Sequence, residues 1–159
     1  VGSQNFITAQ VLERVEEELR GFRQAAKARV AFLIDGNGQL LGQAGDATKV
    51  DTTAIAALTA SNMAASKAIA ELVGEEKFGG VLHEGEDEHL HLSVVGGIAI
   101  LVVLFDAETS IGLVRLRVKN TTKNLEALLI QGAEEGVSEE EDLSPFAEIT
   151  EDDIDQLFL

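Results

Sequence analysis

The sequence predicts an α/β (α+β) domain, a five-stranded sheet flanked by helices in the order α-β-β-α-β-β-β-α, with an acidic helical tail after it. Three observations lead there. Apolar residues recur at helical spacing over residues 6–23; the period then gives way to short apolar runs split by "DGNG" and by Gly96-Gly97; and a long alanine-rich helical stretch separates the first two runs from the next three.

The first helix is amphipathic, because Phe6, Val11, Val15, Leu19 and Phe22 fall on one stripe with Glu and Arg between them. "RVAFLI" (29–34) and "QLLGQAG" then flank "DGNG" and read as a hairpin. Those glycines lack the Gly-Lys-Ser/Thr ending of a phosphate loop and sit between strands, so they read as a turn.

"VDTTAIAALTASNMAASKAIAELVG" (50–74) carries its own helix boundaries. Asp51 is an N-cap, Val50 and Ile55 form a hydrophobic staple across it, and Gly74 supplies the stop. A helix over 52–73 is on the order of 33 Å long. Its larger residues Ile55, Leu58, Ile69 and Leu72 are expected to face the sheet. Ala57, Ala60, Ser61, Ala64, Ala65 and Ala68 leave the remaining surface smooth. Another backbone can come close to such a surface, although alanine is also simply the best helix former.

"GVLHEG", "HLHLSVV" and "IAILVVLF" supply three more strands, the last two joined by the Gly96-Gly97 turn. "HLHLSVV" alternates, so one face is buried. "IAILVVLF" does not alternate and reads as a central strand covered on both faces. "TSIGLVRLRVKNTTKNLEALLIQG" (109–132) alternates locally like a strand. Yet Ile111, Val114, Val118, Thr121, Leu125 and Leu128 hold a seven-residue repeat, with Arg115, Lys119 and Lys123 aligned on another face, which favours a third helix.

The division that follows is a domain over 1–131, a flexible acidic linker over 132–145, and a docking helix over 146–159. In "SPFAEITEDDIDQLF", Thr150 is an N-cap, Ile149 and Ile154 form a staple, and acids at 151–153 meet the positive end of the helix dipole. Phe146, Ile149, Ile154, Leu157 and Phe158 give it an apolar side. A helix this short does not hold alone, so the segment is fit to fold into a groove.

Charge and composition narrow the function. The net charge is −16 and is uneven: residues 1–125 hold 16 acids against all 12 Lys and Arg, while 126–159 hold 12 acids and no base. Nucleic acid and anionic membrane are disfavoured as partners. There is no cysteine, hence no disulfide framework, thiolate metal site or cysteine nucleophile. No apolar run is long enough for a membrane span, and no signal-peptide pattern opens the stretch.

His83, His89 and His91 lie near Glu84, Glu86, Asp87 and Glu88, which makes metal ligation conceivable. A polar hairpin with exposed histidines is the plainer account. No nucleophile elbow is present. The expectation is therefore a non-enzyme with no catalytic residue, cofactor or metal.

"AFLIDGNGQLLGQAG", "DTTAIAALTASNMAASKAIAELVG", "HEGEDEHLHLSVVGGIAILVVLFD", "TSIGLVRLRVK" and above all "SPFAEITEDDIDQLF" together resemble the bacterial MglB family of the Roadblock superfamily, over nearly the whole chain. The resemblance implies a Roadblock-type antiparallel sheet. It also implies a cytoplasmic homodimer whose long second helices pack together and whose sheets join across the two-fold axis. Such dimers bind one copy of a small Ras-like GTPase of the MglA type and accelerate its GTP hydrolysis without donating an arginine. They control cell polarity and gliding motility, and gather at a cell pole.

The resemblance places the GTPase-facing role on Ala64 and Ala68, with Ala60, Ser61 and Lys67 beside them. It assigns the tail residues Phe146, Ile149, Ile154, Leu157 and Phe158 to a second contact that promotes nucleotide exchange. The linker "GAEEGVSEEEDL" departs from the family in being more acidic. A Roadblock dimer acting only as a scaffold is the alternative.

Overall fold

A computed structural model describes residues 7–143, with side chains through Glu135. In chain order the elements are α1 (Ala9–Ala26), β1 (Val30–Asp35), β2 (Leu40–Gly45), α2 (Thr52–Leu72), β3 (Gly80–Glu84), β4 (His89–Val95), β5 (Ala99–Phe105) and α3 (Ile111–Leu143). The five strands form one antiparallel sheet in the order β2-β1-β5-β4-β3. This is the predicted architecture. The non-alternating strand, β5, lies in the middle of the sheet and is buried along nearly its whole length.

Side-chain alternation divides the core into two layers. On one face Ala31, Leu33, Val95, Leu101, Val103 and Phe105 pack against Val11, Val15, Leu19 and Phe22 of α1 and Val114, Val118, Leu125 and Leu129 of α3. On the other face Val30, Phe32, Ile34, Leu92, Ile100 and Val102 meet α2, chiefly through Ala56, Ile55 and Met63.

Local chemistry sets the boundaries. Helix α1 starts later than the apolar spacing suggests, because the Thr8 hydroxyl accepts the Val11 N–H and caps it there. It runs three residues further at the other end, through Gln24, Ala25 and Ala26, until Lys27 turns left-handed at φ 55°. In the first hairpin Asp35 Oδ1 accepts the backbone N–H of Asn37 (2.8 Å) and Gln39 (3.0 Å), so "DGNG" is an Asx-stabilised turn. Gly96 and Gly97 both have positive φ, 57° and 71°, as the tight β4–β5 turn demands.

The linker expected over 132–145 needs correcting over 132–143, residues 144–145 lying outside the described residues. Helix α3 continues unbroken through Leu143. Gly132 is not a stop: it is buried where α3 crosses α1, and a Cβ there would stand 3.0 Å and 3.1 Å from the two γ-carbons of Val11. Past it, Ala133, Glu134 and Glu135 are good helix formers. Gln131 Nε2 donates to Glu135 Oε1 at 2.9 Å, one turn on. Of the acids in this stretch whose side chains are described, Glu134 is exposed and Glu135 half-buried. The docking segment 146–159 lies outside the described residues.

Candidate functional site

Helix α2 differs from its neighbours in how little of it the domain covers. Its ends are well fixed. Asp51 Oδ1 accepts the Ala54 N–H at 3.0 Å. At the other end Glu75 N–H donates to Ala70 O and Gly74 N–H to Glu71 O, with Gly74 at φ 83°, which is a Schellman cap. Between them only Ala56, Thr59 and Ala70 are fully buried.

At about 100° per residue the exposed part of α2 resolves into two adjoining faces. One is a low strip of Ala57, Ser61, Ala64 and Ala68, all exposed, with Ala60, half-buried, and Lys67, exposed, along its margin. The Ser61 hydroxyl turns back to the Ala57 carbonyl at 3.3 Å, so no side chain stands proud of the strip. The five residues singled out from the sequence, Ala60, Ser61, Ala64, Lys67 and Ala68, thus share one side of one helix. No charged residue occurs from Thr52 to Ser66, leaving about four turns whose accessible surface is nearly neutral in a strongly acidic chain.

The second face carries large apolar side chains, and here the sequence expectation is wrong. Leu58, Ile69 and Leu72 do not face the sheet; they are 70%, 53% and 86% exposed, and Val73 is 64% exposed. Only Ile55 of the four turns inward, half-buried against the second core layer. Small residues, Ala56 and Ala70, take the sheet-facing positions because they let the helix lie close to the strands. The missed signal is the run 55, 58, 62, 65, 69, 72, an alternating three-four spacing that marks a seam for another helix. Contiguous exposed apolar surface of this kind marks an interaction site. At its foot a cavity of about 220 Å³ opens between α2 and the β3–β4 hairpin, lined by Ile55, Leu58, Leu90 and Leu92, with Asn62 Nδ2 3.5 Å from His83 Nε2 at its rim.

The histidines are not gathered. His83 is exposed on edge strand β3, whereas His89 and His91 turn toward α3 from β4. His89 packs on Phe105 with ring centroids 5.2 Å apart. His91 is 6% exposed, and burial, aided by the Arg115 charge, holds its pKa below the usual value. Among the described residues no group of three His, Cys, Asp or Glu side chains converges for a metal. None of their helices is long and apolar enough to cross a membrane. Glu88, beside the histidines, pairs with Arg29 and ties the β3–β4 loop to the start of β1. Phe146, Ile149, Ile154, Leu157 and Phe158 fall outside the described residues.

Three comparisons bear on this arrangement. The Roadblock/LC7 domain family matches residues 14–105. Among solved structures, Myxococcus xanthus MglB is 40% identical over 76% of this chain and 91% of its own, with a TM-score of 0.73. An MglB with a tetrameric arrangement is 30% identical over 83% of this chain and 99% of its own (TM-score 0.76). The gliding protein MglB of Thermus thermophilus is 30% identical over 82% and 99% (TM-score 0.75). No curated protein sequence matches significantly.

Proposed function

The chain belongs to the Roadblock/LC7 family and has the architecture of its MglB members, and from that premise we propose that it is a dimeric regulator of a small Ras-like GTPase of the MglA type, accelerating GTP hydrolysis by its partner. The observation that carries this reading is the pairing of two exposed faces on α2. The apolar seam of Leu58, Ile69 and Leu72 is suited to a second copy of the same helix, and the alanine strip beside it is left for a different partner.

A neutral, low-relief helix surface favours close backbone approach over charge pairing. That suits a GTPase switch segment, whose ordering depends on the nucleotide. By binding the hydrolysis-competent arrangement more tightly than the others, the strip would raise its population, so that the partner's own groups reach the γ-phosphate. Helix α2 contains no arginine to lend, and Lys67 sits only at the strip's margin. The regulator would therefore act through position rather than through a donated catalytic group. On this reading Ala64 and Ala68 lie at the centre of the contact, with Ala60, Ser61 and Lys67 around them, while Phe146, Ile149, Ile154, Leu157 and Phe158 form a tethered second contact that speeds nucleotide exchange. Control of cell polarity and motility by a cytoplasmic dimer would follow.

The deciding experiment is single-turnover GTP hydrolysis by an MglA-type GTPase with and without this protein. A rate increase of about tenfold or more supports the proposal. Binding with no change in rate would leave a scaffold in its place.

A further inference from the structure

On the sheet face opposite α2, α3 does not lie flat on the edge of the sheet. It leaves a cavity of about 380 Å³, roofed by Arg115, Lys119 and Thr122 and floored by Gly80 of β3 and by His91 and Ser93 of β4. We propose that this cavity is a binding site for a compact oxyanion, a phosphate or carboxylate group, gripped by Arg115 and Lys119 above a floor of His91 and Ser93.

Charge is the first argument. In a chain of net charge −16, residues 111–125 hold four of the 12 basic side chains and no acid. Arg115 and Lys119 stand one helical turn apart on the cavity side. Like charges at that spacing disfavour a helix, and among the described residues neither side chain makes an ion pair or a hydrogen bond; Lys119 accepts from the Thr122 hydroxyl only through its backbone carbonyl. No carboxylate lines the cavity. An anion between the two cations relieves their repulsion and gains charge-assisted hydrogen bonds from both.

The floor is the second, independent argument. His91 is only 6% exposed, yet its Nδ1 has no hydrogen-bond partner. A buried ring nitrogen left unpaired is costly; Nδ1 itself lies beneath the surface, and the rest of the ring forms part of the cavity floor. Burial holds His91 neutral near neutral pH, so its ring keeps one N–H to donate without needing a positive charge. Ser93, equally buried, adds a hydroxyl two residues along the same strand face. Gly80 keeps the floor low, since a Cβ there would meet the Leu92 carbonyl oxygen at 2.8 Å and crowd His91 and Ser93 at 3.4 Å. Apart from His91 no aromatic ring lines the space. A nucleobase would find nothing to stack on, which selects a small anion rather than a nucleotide.

The full-length chain is titrated with inorganic phosphate and, separately, with acetate, and followed by NMR at the Gly80 and Ser93 amides and the His91 ring. Sodium chloride at matched ionic strength is the control. A saturable shift with a half-point on the order of 1–10 mM is expected, raised at least about tenfold by Arg115→Gln with Lys119→Gln and unmoved by Lys27→Gln. Stronger response to phosphate or to acetate identifies the source of the oxyanion. Shifts that chloride reproduces, or a double variant that titrates like the parent, would overturn the proposal. GTPase stimulation is a separate readout from either outcome.

Discussion

Gly132 of α3 rests directly on Val11 of α1. There is no room between them for a methyl group without displacing the valine by several tenths of an ångström. The two helices cover one face of the sheet together, and this contact fixes how closely they cross. Gly132→Val should therefore lower stability by about 1–3 kcal/mol through overpacking, read as a shift of the urea midpoint at unchanged slope. In combination with Val11→Ala the cost should be partly recovered, the non-additivity expected of touching residues. A neutral Gly132→Val would mean that α3 has already left the body at this point.

The exposed seam on α2 gives a prediction about assembly. Leu58 and Leu72 are so accessible in the single chain that Glu at either position changes the stability of that chain by no more than about 0.5 kcal/mol. In a dimer held by this seam the same substitutions bury charge against apolar surface and should separate the copies. Light scattering after gel filtration should give the parent twice the 16.9 kDa chain mass and Leu58→Glu with Leu72→Glu a single chain mass. A parent that already runs at one chain mass would end the dimer reading.

Residues with a single geometric role were legible in the sequence; large apolar residues left on the surface were not. Val11, Val15, Leu19 and Phe22 have one apolar stripe and one place to bury it, so both helix and face were evident. The same holds for Ala99–Phe105, whose unbroken apolar run is the central strand. Helix α2 defeats that logic because its largest apolar residues stay exposed instead of entering the core. Hydrophobicity alone cannot tell a core from an interface, and Leu58, Ile69 and Leu72 were assigned to the wrong neighbour. Gly132 misled for a related reason, since glycine marks both helix ends and close helix crossings. The oxyanion cavity had no motif: Arg115 and Lys119 meet His91 and Ser93 only because α3 crosses β4.

Stability should depend on pH through His91. Its folded pKa lies below the unfolded 6.5, so the folded state binds fewer protons, and stability is fully present above 6.5 and lost as pH falls toward the folded value. Arg115 and Lys119 on α3 face it, and His89 lies two residues along the same strand face; none of these lowers the cost of protonating it. Urea midpoints should fall between about pH 7.5 and 5.5, and fall less in His91→Gln. Asp46, whose pKa is lowered chiefly by the Thr48 hydroxyl, acts in a more acidic window. An identical slope in His91→Gln would remove this histidine as the cause.

The two activities proposed for body and acidic ending can be tested apart. Deleting residues 146–159 should leave the assembly state and the stimulation of hydrolysis in place while slowing release of labelled GDP from the partner GTPase. The sequence interleaves apolar residues with acids there, the pattern from which the docking role is proposed. Equal GDP release with and without the segment would deny it that role.

The sharpest test falls on the low strip. Ala64 and Ala68 are both exposed and one turn apart, so arginine at each is accommodated by solvent, and arginine is a good helix former. Ala64→Arg with Ala68→Arg should therefore fold, dimerise and melt like the parent. What changes is the surface: two long cationic side chains now stand where a partner's backbone would have to come close. Steric exclusion at the centre of a contact typically costs about 2 kcal/mol or more, roughly a thirtyfold loss of affinity. Stimulated GTP hydrolysis at sub-saturating regulator should drop accordingly, and adding more regulator should restore part of it. Full stimulation by the double variant, with circular dichroism and mass unchanged, would move the GTPase contact off this helix.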